Sequence, residues 1–119
     1  MADHNELGKK GEEFAIDFLI EAGYKILEKN YRFQKAEVDI IALKGLVLAI
    51  VEVKTRSTDY FGNPQDFVNP KKIKLLLSAI DHYVVEKNLD VEVRSDIIAI
   101  IHQKKKKKLV HLKDAFLYF

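Results

Sequence analysis

Apolar residues recur along the chain at two periods, and the switches between them mark the elements. Within residues 5–22, Leu7, Phe14, Ala15, Phe18, Leu19 and Ala22 fall at helical spacing, and Gly23 stands where a C-terminal glycine belongs. Gly8 and Gly11 lie inside this first helix at a cost of roughly 1 kcal/mol each relative to alanine. They imply either close approach of another segment or a later helix start. Three strand-like runs follow at 24–32, 37–43 and 46–55. Lys44-Gly45 between the last two suits a tight hairpin, so an antiparallel meander is expected.

Residues 56–69 are rich in Ser, Thr, Asp, Gly, Asn and Pro, a loop whose Tyr60 and Phe61 either stack on exposed bases or cover the core. Asn69 then offers an N-cap and Pro70 a first helical position. Ile73, Leu76, Leu77, Ile80, Tyr83 and Val84 recur at three and four, predicting a second helix. Residues 91–101 read as a strand buried on both faces, with Asp96 structural. A strand, a helix and a strand make a right-handed crossover, so this strand should run parallel to 46–55. Residues 109–119 add an edge strand or short cap after a turn of five lysines. The pattern is α/β: an α-β-β-β-α-β core, a mixed sheet flanked by helices.

Composition narrows the class without naming an activity. A chain of 119 residues, 48% hydrophobic and 32% charged, suits one folded domain spanning 1–119. No cysteine is present, and neither a secretion signal nor a membrane span is expected, so cytoplasm is the default location. The net charge of +2 is unevenly placed: residues 1–60 hold 9 basic and 11 acidic groups, and residues 61–119 hold 11 and 7. An acidic site beside a basic flank would suit a metal-dependent enzyme acting on a polyanion. His4, His82, His102 and His111 lack ligand spacing, so no zinc site is expected.

The informative stretch is IVEVKT, residues 50–55, an apolar strand carrying Glu52 and Lys54 on one face. The preceding run, AEVDIIAL, puts Glu37 and Asp39 on one face and Val38, Ile40 and Ala42 on the other. Pairing residues whose numbers sum to 89 or 91 brings Asp39 opposite 50 or 52, and Glu37 opposite 52 or 54. Three carboxylates and a lysine then gather at one end of two strands. Such crowding repels and loses hydration, and a cation compensates it. Mg²⁺ takes one or two carboxylates and leaves positions for water and phosphate oxygens. The E-x-K spacing itself carries nothing, since about 1.3 matches arise by chance in this composition and one is present. A cross-strand salt bridge of Glu37 or Asp39 with Lys54 is the competing reading.

The ordered series GEEFAIDFLIEAGYKILEKNYR, AEVDIIAL, VLAIVEVKTRS, FGNPQDFVNPKKIKLLLSAIDHYV and RSDIIAI covers nearly the whole chain. It closely resembles the YraN-like family of uncharacterised bacterial proteins. That family is similar to the PD-(D/E)xK, restriction-endonuclease-like superfamily and to archaeal Holliday-junction resolvases. The resemblance implies a restriction-endonuclease-like fold and a Mg²⁺- or Mn²⁺-dependent endonuclease acting on DNA. It makes Asp39 and Glu52 metal ligands, Lys54 the catalytic lysine, the Val53 carbonyl a further ligand, and Glu12 an aid to metal binding or water positioning. Glu37 matches a family glutamate of less certain role. Ala36 replaces the family's usual glycine, and Val38 the superfamily's proline before the metal aspartate.

Around this set, Thr55 and Arg56 leave the strand where a guanidinium could grip a phosphate, or form a solvated strand end. Lys71 and Lys72 open the second helix, whose dipole favours an anion. Lys104, Lys105, Lys106, Lys107 and Lys108 either neutralise phosphates or make a solvated turn. The alternative to a nuclease is a non-catalytic nucleic-acid-binding or protein-interaction module that keeps the fold. The sequence leaves monomer and homodimer open.

Overall fold

A computed structural model describes residues 2–56, 69–103 and 106–115. Tyr60, Phe61, Lys104, Lys105 and the side chain of Leu7 lie outside that description. The elements are α1 (Ala2–Glu21), β1 (Lys25–Phe33), β2 (Ala36–Lys44), β3 (Val47–Arg56), α2 (Pro70–Glu86), β4 (Glu92–Gln103) and β5 (Lys106–Leu112). They form a five-stranded mixed sheet in the order β1-β2-β3-β4-β5, in which only β3 and β4 run parallel. The predicted α-β-β-β-α-β order and the crossover are therefore observed. No described helix is long and apolar enough to cross a membrane.

Each face of the sheet buries one helix. Ala15 and Leu19 of α1 pack with Ile40, Ala42, Ala49, Val51, Ile98 and Ile100. Leu76, Ala79, Ile80 and Tyr83 of α2 pack with Ile41, Leu48 and Ile50 on the other face. Leu77, expected in the stripe, is 46% exposed, and Ala79 is buried instead. Helical rotation carries position 77 to the flank of the face defined by 76, 80 and 83. Burial on both faces of β4 holds only for Asp96–Ile101; Glu92 and Val93 are exposed and Arg94 and Ser95 partly so, as the polar residues of this first half require water.

The element ends follow local chemistry. The Asn69 side chain accepts from the Lys72 N–H at 2.8 Å, and Pro70 opens α2. Gly23, at φ +97°, ends α1; the N–H of Tyr24 reaches back to the Leu19 carbonyl, and Lys44 Nζ donates to the Ala22 carbonyl at 2.7 Å. The β2–β3 pairs sum to 91, so the turn residues are Gly45-Leu46 rather than Lys44-Gly45. Gly45 supplies the positive φ of +60° that its first position needs. The final strand also begins earlier than expected. Lys106–Lys108 pair with Gln103–Ile101 inside β5 instead of forming a turn. Exposed lysines are compatible with an edge strand and guard it against further pairing.

The helix runs through both internal glycines, and they differ. A Cβ on Gly11 would clash with Thr55 Oγ1, whereas a Cβ on Gly8 would meet nothing within 4 Å. Gly11→Ala is therefore expected to destabilise by about 1–3 kcal/mol through overpacking. Gly8→Ala should instead stabilise by roughly 0.5–1 kcal/mol through helix propensity. Urea unfolding of the two variants checks the opposite signs, and equal effects would refute the close approach.

Candidate active site

The ladder between β2 and β3 stops at Ile40–Val51. Beyond it the Asp39 carboxylate accepts the Val53 N–H at 2.8 Å, standing in for a backbone acceptor. On the other side, β1 pairs Lys29 with Ile40 and then Tyr31 with Val38, and the intervening Asn30 takes a left-handed φ of +53°. Asp39 thus sits where the pairing on both sides is interrupted. The expected alternation slips here: Ile40 and Ala42 pack with α1, but Val38 packs with Ala36 and the α2 cluster. The sheet opens at this end, and side chains from both helices reach the gap.

The result is a cavity of about 470 Å³ lined by Glu12, Lys35, Glu37, Asp39, Glu52 and Lys54, with Val53, Ala36 and the Lys72, Leu75 and Leu76 side of α2 completing it. Glu52 is 4% exposed. Its Oε2 accepts from Lys72 Nζ at 3.1 Å, while Oε1 is buried with no hydrogen-bond partner among the described residues. Glu37 pairs with Arg32 across β1–β2 at 2.9 Å, and Asp39 with the Val53 amide, so neither forms the cross-strand bridge to Lys54 that the sequence allowed.

Burial dominates the electrostatics. It pushes Glu52 up to about 7, reinforced by Asp39 and opposed by Lys72 and Lys54. Glu12 also rises to about 7, from burial and then repulsion by Asp39 and Glu37. Asp39 is raised by burial despite the Val53 N–H and both lysines, and Lys54 is lowered by burial and by the Lys72 charge. Folding therefore favours protonated Glu12 and Glu52. Their contribution to stability is present below about 4.3, the unfolded value, and is lost as pH rises through about 7. Metal-free protein is expected to melt at lower temperature at pH 8 than at pH 5.5, with a shallower dependence in Glu52→Gln. Equal slopes in the two proteins would show that these carboxylates are not crowded.

The donor set fits a hard divalent cation. No three His, Asp or Glu side chains among the described residues are grouped to cage a metal by themselves. Mg²⁺ does not need such a cage, because it keeps several waters beside one or two carboxylates. Glu52 Oε1, buried and without a hydrogen-bond partner among the described residues, is an oxygen such an ion could take.

The basic residues are spread out. Arg56 is exposed at the end of β3, with Nη1 on the Thr55 carbonyl, and Thr55 Oγ1 is buried without a partner among the described residues. Lys71 is exposed on the first turn of α2, whereas Lys72 is turned onto Glu52. Lys106, Lys107 and Lys108 lie on β5, three strands from β2 or roughly 14 Å, outside the cavity lining. Lys107 Nζ lies 5.2 Å from the Phe14 ring. Lys35 was missed by the sequence reading; its place in the turn just before AEVD was the available signal.

Comparison with known proteins places this arrangement in a family. The chain is similar to a UPF0102 protein of Christiangramia forsetii, 64% identical over 119 residues and the full length of both chains. A relative in Flavobacterium psychrophilum is 56% identical, also over the full length of both. One in Phocaeicola vulgatus is 42% identical over 98% of this chain and 96% of its own. The model of "Uncharacterised protein family UPF0102" matches residues 11–100, which include Glu12, Asp39, Glu52, Lys54 and Lys72. The chain belongs to the UPF0102 family, the YraN-like family its motifs resemble.

Proposed function

We propose that the protein is a Mg²⁺- or Mn²⁺-dependent endonuclease hydrolysing phosphodiester bonds in DNA, with branched or damaged DNA as candidate substrates. The observation that carries the reading is the buried Glu52, whose Oε1 has no hydrogen-bond partner among the described residues, beside Asp39 and Lys54 in an open cavity. Asp39, Glu52 and the Val53 carbonyl would hold the cation. When bound, it supplies Lewis-acid polarisation of the phosphate and a lowered pKa for attacking water. Lys54, partly desolvated, would neutralise charge developing on the phosphoryl oxygens. Glu12 lines the cavity from α1 and, with its pKa near 7, can accept a proton from water near neutral pH. Arg56, Lys71 and the β5 lysines would contact flanking phosphates and make binding salt-dependent.

A second reading has its own observation. The Lys72–Glu52 pair already compensates part of the buried charge, which suits a non-cleaving nucleic-acid-binding or protein-interaction module. Titration of Mg²⁺ or Mn²⁺ against linear, flapped and four-way DNA separates the two. Cleavage requiring metal supports the nuclease, and binding unaffected by metal and without cleavage supports the module.

A further inference from the structure

Lys72 makes the one side-chain ion pair of Glu52 among the described residues, and the two partners are unequal. The Glu52 side chain is 5% exposed and fixed on a central strand, while that of Lys72 is 37% exposed on a flexible stem. The Asn69 cap fixes the backbone of Lys72 at the first turn of α2, so only its stem needs to move to free the carboxylate. A second ammonium, Lys54, lines the same cavity, so an arriving dication would meet two cations at close range. Lys72 reaches the cavity from the exposed first turn of α2, whereas Lys54 rises from β3, the strand that carries Glu52.

We propose that Lys72 is an exchangeable counter-ion: it holds Glu52 while no metal is present, yields that carboxylate to a divalent cation, and then takes a phosphate of the nucleic acid. Metal and polyanion thereby bind cooperatively and reciprocally. This rests on the metal-site reading above.

The test uses the full chain at pH 8.5, above the value of about 7 that burial gives Glu52, and is repeated at pH 9 because removing Lys72 raises that value further. Calorimetric titration with Mg²⁺ alone should give Lys72→Met at least about threefold tighter binding than wild type, within the usual span of coupling effects. Fluorescence anisotropy with a short DNA duplex, in a Lys54→Met background that does not cleave, should show Mg²⁺ strengthening DNA binding by roughly tenfold. Adding Lys72→Met should abolish that enhancement, and Lys72→Arg should retain it. Circular dichroism verifies folding, with Lys72→Gln as a second variant. Magnesium binding by Lys72→Met that is equal to or weaker than wild type overturns the exchange and makes Lys72 a fixed support of Glu52. A wild-type protein that takes up no Mg²⁺ overturns the metal reading and the exchange with it, so the two failures give different results.

Discussion

Asp39→Ala is expected to abolish metal-dependent DNA cleavage, by on the order of 10³-fold or more, while DNA binding at low salt persists. Asp39 stands just past the end of the β2–β3 ladder, where its carboxylate takes the Val53 N–H. Removing it leaves the Val53 N–H without its partner, a cost of about 1–3 kcal/mol that a folded domain of this size tolerates. Arg56, Lys71 and the lysines of β5 are untouched, so electrostatic attraction to phosphates remains. Cleavage and binding assays on protein verified by circular dichroism check the separation. An active Asp39→Ala protein would sink the assignment of the site.

Asp96→Ala should have the largest effect on stability, a loss on the order of 3–5 kcal/mol. Asp96 is fully buried and receives Arg94 through Nε and Nη2, His111 at 2.8 Å and the Asp114 N–H at 3.1 Å. Arg94 also donates to the Tyr24 hydroxyl, so the cluster ties β4, β5 and the turn after α1 together. Burial alone would raise the Asp96 pKa, but the bonds from His111, Arg94 and Asp114 outweigh it and hold it below the usual value. A lowered folded pKa contributes stability above the unfolded value of about 3.9, and that stability is lost as pH falls through the folded value. The gap between wild type and Asp96→Asn in urea unfolding should therefore be full at pH 6 and shrink below about pH 4. An Asp96→Ala protein within about 1 kcal/mol of wild type would show that the cluster is not a stabilising hub.

The periodic segments were legible because burial of one face imposes the pattern. The 3.6-residue recurrence in 73–84, with Asn69 and Pro70 ahead of it, placed α2, and alternation with the crossover rule placed β3 beside β4. Asp39 and Glu52 could be brought together on paper because a hairpin converts sequence number into register. The structural role of Asp96 was legible too, but its partners beyond its own strand were not, since His111 and the Asp114 N–H reach it from β5 and the turn after it, and Tyr24 meets its partner Arg94 from the turn after α1. The extent of the lysine turn was misread because a charge run carries no signal of pairing. Its last three residues belong to β5.

Local forces acting within a few residues, namely helix caps, periodicity and hairpin register, are written in the chain itself, and they determined the element order and the hairpin that brings E-x-D near E-x-K, although the ladder ends at Ile40–Val51 before the two motifs pair. Tertiary structure alone decided what surrounds those charges. It set the change of facing in β2 around Asp39, the arrival of Lys72 on Glu52, the approach of Gly11 to Thr55 and the entry of Glu12 from α1. Each depends on where separately formed layers meet in three dimensions. Desolvation, which raises the carboxylates and lowers Lys54, exists only once those layers have closed over the site.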